Sequence, residues 1–140
     1  FCLQSTEFLN NSGKSYYNLI NKEGIQNDKI ILIADDIDIN AGKLLIQKSK
    51  SHGGNNGIKS LFTYINDEPL LRIRIGVGRP NIDGKASFEP EEVSKWVLSN
   101  PSKEEEENIN KILDQAILSI DTIIEFGIDF AMNKYNGLNQ

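Results

Sequence analysis

The run Lys29-Ile30-Ile31-Leu32-Ile33-Ala34, closed by Asp35-Asp36-Ile37-Asp38, constrains the fold more than any other segment of this chain. It is continuous, of strand length and rich in β-branched residues. Such a run reads as a central strand covered on both faces. Carboxylates at the carboxyl end of a buried strand lie where open α/β sheets build their sites.

The rest of the chain supplies helices to cover such a strand. Ser15 to Lys22 reads as a helix stopped by Gly24, and Lys43 to Lys50 as a strand with Leu44 and Ile46 opposite Leu45 and Gln47. A helix over Asn56–Tyr64 follows. Leu71 to Gly78 alternates strictly, with Leu71, Ile73 and Ile75 on one face and Arg72 and Arg74 on the other, a polar one. Gly78 to Gly84 reads as a loop. Pro90 opens a short helix carrying Val93, Trp96 and Val97, with Trp96 and, further on, Met132 expected in the core. Ser102 with Glu105 spells a capping box. Ile109, Ile112, Leu113, Ala116, Ile117, Ile120, Ile123 and Ile124 then recur at helical spacing and predict one stripe laid on the sheet. Strands alternating with helices make the fold class α/β, with residues 1–140 as a single domain. Gly76-Val77-Gly78 lacks the further glycine and helix of a dinucleotide site, and no phosphate-binding loop is present.

Composition narrows the function. At 39% hydrophobic and 25% charged the chain has the balance of an ordinary globular domain. No apolar run is long enough to span a bilayer. A single cysteine, Cys2, cannot form an internal disulfide, which favours a reducing, cytoplasmic setting. The chain begins at Phe1, inside what reads as a strand, and so reads as a fragment or a processed chain. The net charge of −5 is unevenly placed: residues 89–140 hold 4 Lys+Arg against 11 Asp+Glu, whereas residues 43–85 hold 8 against 3. Local charge, not the total, sets attraction to phosphates.

Ser51-His52-Gly53-Gly54-Asn55-Asn56-Gly57-Ile58-Lys59 reads as a glycine-rich turn opening a helix. Adjacent glycines let a backbone pass close to another molecule. A carboxamide offers one acceptor and two donors without a charge to desolvate, which suits holding a peptide-like group. His52, the only histidine, sits in that turn and reads as incidental to catalysis. Other roles stay open for the polar residues: Asp35 as a turn cap, Asn10 in an Asx turn, and Asn56 as the N-cap of the following helix.

Several segments, in order, resemble the bacterial peptidyl-tRNA hydrolase family. Phe8-Leu9-Asn10-Asn11-Ser12-Gly13 resembles its Tyr-Met-Asn-x-Ser-Gly, and Asp35-Asp36-Ile37-Asp38 with Gly42 its Asp-Asp-Leu-Asp-Leu-Pro-x-Gly. His52 to Lys59 is similar to Ala-Gly-Gly-His-Asn-Gly-Leu-Lys, and Arg72 to Pro80 to Arg-Leu-Arg-x-Gly-Ile-Gly-Arg-Pro. Trp96-Val97-Leu98 and Ala131 to Asn136 resemble its closing motifs. The resemblance implies a twisted, mixed, mostly parallel sheet flanked by helices, lacking here its first strand-helix segment.

It also implies hydrolysis of the ester joining a peptide to the terminal ribose of tRNA, with no metal or cofactor, by a cytoplasmic monomer. A histidine would activate water, and that histidine lies in an amino-terminal motif this chain does not contain. Asp35 would orient it. Asn10, Asn56 and Gly54 would hold the peptide, while Arg74, Arg72 and Lys48 would meet tRNA. The chain departs from the pattern at Asn55, where the family often has histidine, at Gln4-Ser5 for Lys-Pro, and at Leu45 and Gln47, where it carries basic residues. A non-catalytic tRNA- or peptide-binding module is the alternative. The fragment alone is expected to be inactive and poorly soluble or partly unfolded.

Overall fold

A computed structural model describes residues 11–65 and 68–136. Asn10 lies outside them, as does the strand expected at Phe1-Cys2-Leu3. The elements run α1 (Ser12–Glu23), a 3-10 turn (Asn27–Lys29), β1 (Ile31–Asp36), β2 (Leu44–Ser49), α2 (Asn56–Phe62), β3 (Leu70–Gly76), β4 (Asn81–Ile82), β5 (Lys85–Ala86), α3 (Pro90–Val97), α4 (Lys103–Phe126) and α5 (Ile128–Asn136). This is an α/β fold. Among the described residues three strands form one sheet in the order β1-β3-β2. The Val77 N–H donates to the Asp36 carbonyl, joining the carboxyl ends of β1 and β3, so that pair is parallel. Gly76 exchanges bonds with Gly42 and Lys43 at the start of β2, so that pair is antiparallel. The sheet is therefore mixed.

Among the described residues the middle strand of this sheet is β3, not β1. All of β3 except Arg74 is buried, whereas Ile33 of β1 is 46% exposed. Among the described residues β1 pairs on one side only. An apolar run reports burial but not strand order, and β3, which alternates with arginines, sits between the other two.

The chain forms two compact units, one drawn from Phe1–Leu32 and Lys48–Arg72, the other from Ile33–Gln47 and Ile73–Gln140. In the first, Leu61, Ile65 and Leu70 form a buried cluster, with Tyr16, Tyr17, Ile30, Leu32 and Phe62 packed against it. The helices α1 and α2 meet where the Gly13 N–H donates to Ser60 Oγ (3.2 Å).

In the second unit, the loop after β1 is tied to the end of β3. A Cβ at Gly76 would lie 2.2 Å from the Asn40 carbonyl oxygen, so only glycine admits this approach. The Asn136 carboxamide bonds both the N–H and the carbonyl of Ile46, each at 2.8 Å, pairing with β2 as a neighbouring strand would. Residues 81–84, expected within the Gly78–Gly84 loop, join residues 85–86 in a two-strand hairpin turned by Asp83-Gly84, both at positive φ.

The capping box of α4 is complete in both directions. The face that α4 buries differs from the predicted stripe. Ile112, Ala116, Ser119 and Thr122 are buried, while Leu113, Ile117 and Ile124 are exposed. Hydroxyls can enter here because their bonds are met locally: Ser119 Oγ donates to the Ala116 carbonyl (2.7 Å), Thr122 Oγ1 to that of Leu118 (2.8 Å). Thr122 Oγ1 also lies 3.1 Å from the Tyr135 hydroxyl. Trp96 and Met132 are half-buried, not core residues, and Trp96 Nε1 donates to the Gly78 carbonyl (3.1 Å).

Candidate active site

In the second unit, the chemistry gathers at the carboxyl end of β1. Asp36 is buried. Its Oδ1 accepts from the Asp38 N–H (3.0 Å), closing an Asx turn, and its Oδ2 accepts from Arg74 Nε (2.7 Å). The Arg74 side chain is only 16% exposed, so this ion pair is largely withdrawn from water. Arg79 makes the neighbouring pair, donating Nε (3.0 Å) and Nη2 (2.5 Å) to Asp38 Oδ1. Its guanidinium also stacks on Phe88, 4.2 Å from the ring centroid. Two guanidiniums thus fix the residues on either side of Ile37. Asp35, one residue earlier, is exposed. Side chains alternate along a strand, so burying Asp36 turns Asp35 to the opposite face.

In the first unit, the glycine turn is built as its residue types dictate. Gly53 (φ 57°) and Gly54 (φ 80°) adopt left-handed conformations. The Ser51 N–H donates to Ser49 Oγ (3.0 Å), and the Gly53 N–H to Ser51 Oγ (3.3 Å). His52 Nδ1 accepts from the Gly54 N–H (3.1 Å), so this histidine serves its own turn. Asn55, not Asn56, is the N-cap of α2: its side chain accepts from the Ile58 N–H (3.1 Å). Asn56 is the first helical residue and is exposed. The capping role left open for Asn56 thus falls to its neighbour, and the Asn-Asn doublet was the signal for it.

The arginines depart from the expected polar strand face. Arg72 is 1% exposed and donates through Nη1 to the Ser51 carbonyl (2.6 Å). A guanidinium so placed does not present itself to a phosphate in solvent. Lys48 is exposed on β2, with Gln47 and Leu45 half-buried beside it.

Asp35 and Arg74 therefore belong to the second unit, and Gly54, Asn56, Arg72 and Lys48 to the first. The residues that sequence reasoning passed over are Asn55, Ser51 and Arg79. Arg79 could have been found only by knowing that the Asp38 turn lies beside the end of β3. Among the described residues no group of three His, Cys, Asp or Glu side chains could hold a metal. The first unit thus presents the exposed carboxamide of Asn56, and the second the exposed carboxylate of Asp35.

A family profile described as peptidyl-tRNA hydrolase matches residues 1–140. The peptidyl-tRNA hydrolase of Clostridium botulinum strain Eklund 17B is 38% identical over 135 residues, 96% of this chain and 66% of that protein. That of strain Hall is 37% identical over 136 residues, 97% of this chain and 67% of that protein. The chain thus spans about two thirds of the length of these curated relatives. The crystal structure of peptidyl-tRNA hydrolase from Acinetobacter baumannii superposes with a TM-score of 0.81 at 26% identity, covering 92% of this chain and 62% of that one.

Proposed function

Because the chain belongs to the peptidyl-tRNA hydrolase family, we propose that it serves the hydrolysis of the ester between a peptide and the terminal ribose of tRNA. Residues 1–140 act as one domain in this reading, in the cytoplasm and as a monomer. Attack by water on an ester carbonyl needs a base of near-neutral pKa, which histidine supplies. His52 is engaged in its own turn. In this reading, as the family resemblance implies, the base is a histidine of an amino-terminal motif that these residues do not provide, and Asp35 fixes its tautomer and stabilises the imidazolium. Asn56 and Asn10 hold the peptide amides and the water with uncharged donors, and the Gly54 backbone leaves room for the substrate to approach. Lys48 meets tRNA phosphate. Arg74 contributes the nitrogens that its bond to Asp36 leaves over.

The observation that carries this reading is the division of labour in the Asn55-Asn56 doublet. One carboxamide satisfies the helix end, and the other stands exposed beside a turn of two left-handed glycines.

The test is release of N-acetylphenylalanine from charged tRNA by this chain joined to the additional segment that its botulinum relatives carry. Turnover is expected, and Asp35→Asn lowers kcat by about 100-fold or more with the fold intact. Unchanged turnover in that variant removes Asp35 from the mechanism. RNA binding without any hydrolysis in the joined protein favours the non-catalytic module instead.

A further inference from the structure

Resting on the reading of the glycine turn as the seat of the peptide amide, we propose that Arg72 is a positioning residue that fixes this turn from the sheet and makes no contact with tRNA phosphate. The bonds that the Ser49 and Ser51 hydroxyls, the His52 ring and the Asn55 cap make to backbone N–H groups link residues two or three apart. Bonds of that range shape a turn but do not place it. Two consecutive glycines in left-handed conformations leave soft torsions about which a well-formed turn can still swing. The bond from Arg72 to the Ser51 carbonyl spans 21 residues and starts from a strand buried along almost its whole length.

The donor is a guanidinium, so the bond to the Ser51 carbonyl (2.6 Å) is charge-assisted. Its acceptor is the peptide unit directly preceding His52 and the glycines. Holding that unit sets the direction in which the Gly53 and Gly54 backbone leaves, and through Asn55 the point where α2 begins. Asn56 is the first residue beyond that point. Lysine would not substitute: a guanidinium donates in a fixed plane, whereas an ammonium on a flexible stem does not impose one direction.

The phosphate role and the positioning role part company in two measurements on the 140-residue chain. Backbone hydrogen exchange is compared for the parent, Arg72→Met and Arg72→Lys. The amides of Gly53, Gly54 and Asn55 are expected to exchange at least about tenfold faster in Arg72→Met, while those of Ile73 and Ile75 keep their rates. Arg72→Lys falls between the two, and carries the test alone if Arg72→Met does not fold. Unchanged turn amides, or parallel acceleration of turn and strand amides, overturn the proposal; the second pattern marks Arg72 as a core residue without directional effect.

The second measurement titrates acceptor-stem RNA against salt. The slope of log K against log salt is expected to be the same for the parent and Arg72→Lys or Arg72→Gln. A slope shallower by about one unit in Arg72→Gln identifies a phosphate contact and sinks the idea. Should the parent bind no RNA at all, the proposed substrate fails, whereas the exchange data still decide the role of Arg72.

Discussion

Asn55 and Asn56 are chemically identical neighbours with different tasks, and the difference is one of position. Asn55 keeps an extended backbone at the helix edge, from which its side chain reaches the Ile58 N–H; Asn56 is already helical. Asn55→Ala is therefore expected to lower stability by about 1 kcal/mol in chemical denaturation. Asn56→Ala should stay within about 0.5 kcal/mol of the parent while weakening binding of an N-acylaminoacyl nucleoside. Equal stability losses at the two positions would show that the cap is shared. Asp35 and Asp36 divide in the same way: burial, an Asx turn and a guanidinium occupy Asp36, and the pleat turns Asp35 to the exposed side.

At the scale of the element, short-range chemistry sets where helices begin and end. Gly24 closes α1 in a left-handed conformation, Pro90 opens α3, and Ser102 with Glu105 opens α4. The Glu105 carboxyl is held below its ordinary value of 4.5 by the Ser102 hydroxyl and, second, by the Ser102 backbone. A depressed folded value means that the unfolded chain binds this proton more readily. The cap thus adds stability above pH 4.5 and loses it as the pH falls through the lower folded value. Glu105→Gln should flatten that part of the melting temperature against pH profile; an unaltered acid slope would contradict this. Packing between helices is stricter. A Cβ at Gly13 would lie 2.3 Å from the Ser60 carbonyl carbon, so Gly13→Ala must force α1 and α2 apart. A loss of about 1–3 kcal/mol or more is expected, read from the urea midpoint. The buried face of α4 shows where periodicity falls short. Isoleucines and leucines fill two adjacent stripes, and the hydroxyls of Ser119 and Thr122 qualify for burial only because carbonyls of the preceding turn receive them.

For the molecule as a whole, the charge asymmetry survives folding in reduced form. Of the basic residues between 43 and 85, Arg72, Arg74 and Arg79 are engaged with carbonyl or carboxylate partners, whereas Lys48 is exposed. RNA attraction should therefore rest on exposed lysines and on the Arg74 nitrogens that Asp36 leaves over. Lys48→Ala is expected to make the salt dependence of acceptor-stem binding shallower by about one unit of slope, and an unaltered slope would exclude Lys48 from the interface. The exposed row of Leu113, Ile117 and Ile124 on α4 is a further property of the whole. Ile117→Lys should leave the unfolding free energy within about 0.5 kcal/mol while raising solubility, checked by denaturation and by light scattering.

The residues alone determined the α/β alternation, the helix boundaries at Gly24, Pro90 and Ser102, and the ordered motifs that carry the family resemblance. Each depends on neighbours a few positions away, where backbone geometry and local hydrogen bonds decide. Tertiary structure alone made β3 the middle one of the three described strands, sent Arg72 to Ser51 and Arg74 to Asp36, chose Asn55 over Asn56 as the cap and selected the buried face of α4. The reason is that a guanidinium or a hydroxyl is polar in any sequence. Whether it faces water depends on whether a distant carbonyl or carboxylate stands within bonding distance, and only the folded chain brings that partner there.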